Sequence, residues 1–137
     1  MRKIIPILFL TFFSLAAMAQ ENAAEVVKKG PVMKFEQKHH DFGAISLKAG
    51  KVTHEFKFVN NGTEPLIISG AKGSCGCTVP KVPKHPIMPG EEETVKVVFN
   101  PKGKSGKINK TVTITHNSGT PGESTTTKIS IGGRIVQ

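Results

Sequence analysis

The chain has no tryptophan, no tyrosine and only two cysteines in 137 residues. Arginine is nearly as scarce, present only at Arg2 and Arg134. Each shortage excludes something. Nucleic-acid readers favour arginine's planar fork and stack bases on aromatic rings, so this composition argues against nucleic acid as a partner. Two cysteines separated by one residue cannot pin opposite sheets of a sandwich together, and no tryptophan is available to pack on such a bridge. Helix signals are almost absent after the first twenty residues, and so are long apolar runs.

The N-terminus reads differently from the rest. Arg2 and Lys3 form a positive segment, Ile4 to Leu15 a mostly apolar one, and Ala17-Met18-Ala19 a small-x-small cleavage site before Gln20. Residues 1–19 are therefore expected to be a secretory signal peptide, with no membrane span left after cleavage. No cysteine stands at the cleavage point to carry a lipid. The polar stretch 20–30 reads as a flexible leader, and 31–137 as one domain. Removing Arg2 and Lys3 from the 19 basic residues leaves 17 against 10 acidic ones, a net charge of +7. An exported, basic domain points to a periplasmic or extracellular place and to anionic surfaces or acidic partners.

From Pro31 onward the apolar pattern has period two, broken by Gly, Pro and Asn. Short strands are expected at Val32–Phe35, at Asp41–Ile45, and over 51–60 with Val52, His54, Phe56 and Phe58 on one face. Asn60-Asn61-Gly62 suggests a tight turn through positive φ. Further strands are expected at Pro65–Ser69, at Thr94–Phe99 with Val95, Val97 and Phe99 inward, at Ile108–Ile114 with Lys110 near an exposed end, and around Thr127–Ile131, stopping before Gly132-Gly133. About seven strands with a turn every ten or so residues predict an all-β, immunoglobulin-like antiparallel β-sandwich.

The ordered pieces DFG at Asp41–Gly43, FKFVNNGTEPLII at Phe56–Ile68, SCGCTVPK at Ser74–Lys81 and IMPGE at Ile87–Glu91 before VKVVFNPKG resemble the bacterial domain of unknown function 1573 family. The resemblance spans about residues 31–135. Its motif falls on Phe42, Gly43, Phe56, Phe58, Asn60, Gly62, Pro65, Leu66, Cys75, Gly76, Cys77, Pro89 and Gly90. It implies a relation to the immunoglobulin-like ASPM-SPD-2-Hydin and major sperm protein domains. It implies no activity, because fold analogy alone does not assign one.

Cys75-Gly76-Cys77 is where chemistry would reside. In an oxidising compartment the two thiols are first considered as a disulfide, which Gly76 would help to close. So small a ring gains little loop entropy and would be a labile bond. A redox catalyst would want two intervening residues and a helix N-terminus, neither of which is present. Soft-metal capture of copper or zinc would take Cys75 and Cys77 with His85 or Met88. The third reading is architectural: small residues at Gly73, Ser74 and Gly76 suit a tight crossing between sheets, followed by an edge strand that Pro80 ends.

Other motifs carry less. GKSGK at Gly103–Lys107 lacks the glycine spacing and the following helix of a phosphate loop. Ser74, His85 and Asp41 supply a nucleophile, a base and an orienter without a nucleophile elbow. The expectation is an exported, non-enzymatic binding or scaffolding module without a cofactor. It would engage another envelope protein or an anionic envelope surface through free strand edges or the basic loops Lys81–Lys84 and Lys102–Lys107. The rival is a small periplasmic thiol or soft-metal handler using Cys75 and Cys77.

Overall fold

Alternation along each strand decides what is buried. In β3 (Val52–Asn60) Phe56, Phe58 and Asn60 point inward, and in β6 (Glu92–Phe99) so do Val95, Val97 and Phe99. The computed structural model describes residues 29–119, 122 and 124–137. The expected signal peptide and the leader as far as residue 28 lie outside these. The other strands are β1 (Met33–Phe35), β2 (His39–Ser46), β4 (Ile68–Gly73), β5 (Thr78–Lys81), β7 (Gly106–His116) and β8 (Thr125–Val136). One sheet has the order β1-β3-β6-β5 and the other β2-β8-β7-β4. Between them lie Phe56, Phe58, Phe99, Leu66, Val95, Val97, Val112 and the isoleucines 45, 87, 114, 129 and 131, all almost fully buried. This is the expected immunoglobulin-like sandwich.

Several details differ from the sequence reading. Among the described residues there are eight strands, and β2 pairs with β8 in parallel while the other pairings are antiparallel. Instead of stopping at Gly132-Gly133, β8 runs through them. A Cβ on Gly133 would stand 2.7 Å from Ile45 Cδ1, and one on Gly132 would stand 3.3 Å from the His39 ring. The two glycines therefore let β2 lie close against β8. Pro65–Ile67 precede β4 and are not part of it; Leu66 instead forms an isolated bridge with Ile87. Lys110 is half-buried in mid-strand opposite Ile131.

Asn60-Asn61-Gly62 is also not the turn expected, since none of the three has positive φ. Asn60 is fully buried and acts as a hub. Its Oδ1 accepts from the N–H groups of Val32 (3.2 Å) and Gly62 (3.1 Å), and its Nδ2 donates to the carbonyls of Glu64 and Ile87, both at 2.8 Å. Gly62 is needed for close approach, because a Cβ there would collide with the Gly30 carbonyl oxygen. Gly30 is tied to the domain through Thr63, whose hydroxyl accepts from the Gly30 N–H at 2.9 Å.

Candidate functional site

The cysteines sit where the chain leaves one sheet for the other. β4 and β5 belong to different sheets, and only Ser74–Cys77 separate them. At Gly73 any side chain would run into the Thr78 carbonyl oxygen. The crossing is fastened at both sides: Ser74 N–H donates to Thr111 O (2.8 Å), Thr111 N–H to Ser74 Oγ (3.1 Å), and Asn100 N–H to Cys77 O (2.8 Å). Cys75 and Cys77 are joined through their sulfurs with Cα atoms 5.3 Å apart, and the Thr78 hydroxyl lies 3.6 and 3.8 Å from the two sulfurs. Cys77 packs on the margin of the core. No imidazole or carboxylate is hydrogen-bonded to either sulfur among the described residues, so the setting lacks the general base a thiol catalyst uses.

The residues grouped above as soft-metal ligands are separated by the fold. Cys77 is tied to Asn100, beyond the C-terminal end of β6, whereas His85 Nε2 lies 3.0 Å from Glu93 Oε1 near its other end. The seven steps from Glu93 to Asn100 span about 23 Å of extended chain. Met88 lies in the exposed turn next to His85, and its N–H donates to Glu91 Oε2 at 2.8 Å. His85, Glu91 and Glu93 do bring three ligand atoms within 4.8 Å, but the group is largely exposed and reads as a surface contact of one imidazole with two carboxylates. Ser74, His85 and Asp41 do not meet either. Asp41 lies on β2 opposite Gly132, its carboxylate accepting from the Gly43 N–H at 2.7 Å.

Each of the family-motif residues has a definite place in the fold. Phe56, Phe58 and Leu66 are core, Asn60 is the hub, Gly62 stands at a close approach, and Cys75 and Cys77 are bridged across Gly76, which has open space around it and is not the tight point expected from the sequence. Gly90 takes φ 82° in a turn whose N–H donates to the Asn60 carbonyl at 2.8 Å, beside Pro89. Gly43, at φ 65°, stands in the register shift of β2, and Phe42 packs on the core margin. Pro65 is exposed beside the Leu66 bridge.

Each of the four sheet edges is blunted. β1 has three residues, β5 contains Pro80 and Lys81, and β2 and β4 have register shifts. Such devices discourage a foreign strand from adding to a sheet.

The two outer faces differ in charge. On the first sheet Glu55 and Glu92 stand among the exposed Lys34, Lys57, Lys81 and Lys96, with Lys96 opposite Glu55 on one side and Lys81 on the other. On the second, the outward positions are Lys107, Asn109, Thr111, Thr113 and Thr115 on β7, Thr126, Lys128, Ser130 and Arg134 on β8, and Lys72 on β4. Lys72, Lys107, Lys128 and Arg134 are exposed and make no ion pair with a described residue. Among the described residues the acidic side chain on that face is Asp41. The basic segments noted in the sequence do not merge into one patch, for Lys107 opens β7 opposite Arg134 while Lys81 ends β5 opposite Lys96. Lys72 and Lys128 were missed in the sequence, although the alternation T-V-T-I-T and T-K-I-S-I marks the outward positions.

Two histidines have their pKa values lowered. His116 is buried, accepts from the Ser118 N–H at Nδ1 (3.1 Å) and lies 2.8 Å from Thr127 Oγ1 through Nε2. Burial lowers its pKa. The His54 pKa is lowered too, by burial first and then by the His40 ring stacked on it at 3.6 Å, with Glu55 opposing. An imidazole ordinarily titrates near 6.5. With folded values below that, the unfolded chain takes up protons first as the pH falls, so folding is weakened. Stability is expected to be constant above pH ~7 and to drop below about pH 6.5. Thermal melts from pH 8 to 5 check this, and a stability rising toward pH 5 would contradict it.

The sequence profile of the family described as "Protein of unknown function (DUF1573)" matches residues 33–135. No curated protein matches the chain. Among solved structures, a protein of unknown function from Porphyromonas gingivalis W83 is similar at TM-score 0.64 and 16% identity, over 83% of this chain and 51% of that one. The VesB protease of Vibrio cholerae is similar at 0.59 and 16% identity, over 76% of this chain and 31% of its own. An ASH/PapD-like domain of human CEP192 is similar at 0.58 and 12% identity, over 88% of this chain and 97% of that domain. This chain thus spans about half of the Porphyromonas protein and less of the protease, and at these identities the likeness concerns the fold. With the profile covering nearly all of the described domain, the chain belongs to the DUF1573 family.

Proposed function

We propose that this protein is an exported, non-enzymatic binding module that holds an anionic partner of the bacterial envelope on the outer face of its second sheet. The observation that carries this reading is the balance of charge on the two faces: four exposed cations share the second face with one carboxylate, Asp41, whereas on the first Glu55 and Glu92 stand among four exposed lysines. Clustered charge of one sign raises the local concentration of an oppositely charged partner and speeds its capture. Strand addition is the weaker route because every edge is blunted. The dispersal of Ser74, His85 and Asp41 favours binding over hydrolysis.

The thiol or soft-metal reading keeps one favourable observation, the half-exposed Cys75–Cys77 pair at a sheet crossing. One experiment separates the two. Binding to a carboxylated surface is measured across a salt series for the wild type and for the doubly substituted Cys75→Ser, Cys77→Ser protein. The proposal expects both to bind and both to weaken as salt rises. Loss of binding in the serine variant while it remains folded would favour the thiol handler, and binding insensitive to salt would sink the electrostatic mechanism.

A further inference from the structure

The cations on this face are not scattered. Lys72 and Lys128 both lie opposite Thr113, one from each side, so that β4, β7 and β8 contribute a row of Lys, Thr, Lys. Lys107 and Arg134 are directly opposite each other in a second row. From Lys128 to Arg134 is six residues of β8, about 20 Å along the strand. Two shallow depressions mark the two rows. One of about 770 Å³ is lined by Lys72, Ser74, Thr111, Thr113, Thr115 and Lys128, and Gly70 leaves open space beside it. The other, of about 450 Å³, holds Lys107, Asn109 and Arg134 with His39 and Asp41 at the side. Between the rows the outward side chains are hydroxyls and an amide: Thr111, Ser130 and Asn109.

We infer that the partner is a linear acidic polysaccharide, lying along β7 and β8 with its anionic groups at the two cationic rows. This rests on the anionic-partner reading above and names its chemical class. Charge complementarity places carboxylate or sulfate groups at the rows, and the intervening Thr, Ser and Asn side chains both donate and accept, as sugar hydroxyls do. An acidic peptide fits less well. The larger depression is lined by lysine, threonine, serine, glycine and one alanine and not by large apolar side chains, and the edges among the described residues offer no clear run of main-chain partners. A membrane surface would want an apolar wedge or a basic amphipathic helix, and neither stands on this face.

The test is calorimetric or fluorescence titration with four probes: polygalacturonate for carboxylate, dextran sulfate for sulfate, neutral dextran, and poly-glutamate. Three proteins are compared, all checked for folding by thermal melt: the wild type, the Lys72→Gln, Lys128→Gln variant, and the Lys34→Gln, Lys57→Gln variant, which loses the same charge from the other sheet. The inference expects binding of at least one acidic polysaccharide, no binding of neutral dextran, and a loss on the order of tenfold for Lys72→Gln, Lys128→Gln. The control pair should lose less than about twofold. Poly-glutamate binding as tightly as the acidic polysaccharides would overturn the saccharide assignment and leave the anionic face standing. Equal losses in the two variants would overturn the location. No binding of any polyanion would overturn both this inference and the reading it rests on.

Discussion

Replacing Asn60 by alanine is expected to destabilise the domain by on the order of 4 kcal/mol, a large part of what a domain of this size has to lose. The side chain is fully buried and serves four backbone groups from four places: Val32, Gly62, Glu64 and Ile87. Removing it leaves the N–H groups of Val32 and Gly62 and the Glu64 carbonyl without their partner, while the Ile87 carbonyl keeps only the Leu66 N–H. Each such group costs about 1–3 kcal/mol where water cannot reach it. Asn60→Asp should be no better, because it keeps the acceptor, loses the donors to both carbonyls and buries a charge. Urea denaturation measures the effect as a fall in midpoint with little change in slope. A loss below about 1 kcal/mol would mean that water replaces the hub.

Asn60 also shows how far the sequence could be read. The strands around it were legible because burial imposes period two: Phe56 and Phe58, or Val95, Val97 and Phe99, reveal their inward face without any knowledge of the partner strand. The crossing at Gly73–Cys77 was legible for a similar reason, since small residues ahead of a proline-bearing strand are a local signature. Asn60-Asn61-Gly62 misled because the same residues that allow positive φ also serve as a buried bracket and a close contact. Those two uses differ only in where Gly30 and Ile87 end up. Non-local pairings were beyond reach. Nothing in the order of residues says that β2 lies parallel to β8, or that Lys72 and Lys128 come to flank Thr113. For the same reason the sequence grouped Cys75, Cys77, His85 and Met88, which the length of β6 keeps apart.

Reversing all four cations, with Lys72→Glu, Lys107→Glu, Lys128→Glu and Arg134→Glu together, is expected to abolish binding to anionic polymers. At moderate salt the loss should exceed about a hundredfold, because four attractive contacts become repulsive. The fold should tolerate the change. All four side chains are exposed, none is ion-paired with a described residue, and surface substitutions of this kind usually shift stability by about 0.5 kcal/mol or less each. Two effects are thereby separated. Asn60→Ala should lower stability while leaving the binding of the folded fraction unchanged, whereas the charge reversal should remove binding and leave stability nearly intact. A folded reversal variant that still binds with wild-type affinity would show that net charge or the end loops, and not this face, carry the interaction.

The central claim is that one face of one sheet is the binding surface, and amide-resolved NMR during titration with an acidic polysaccharide tests it most directly. The account predicts that shifts concentrate at Lys72, Thr111, Thr113, Lys128, Ser130 and Arg134, while Lys34, Glu55, Lys57 and Lys96 on the other sheet stay still. Shifts confined to the Lys102–Lys104 turn, to Cys75–Cys77 or to the strand edges, with the β7 and β8 face unmoved, would contradict it.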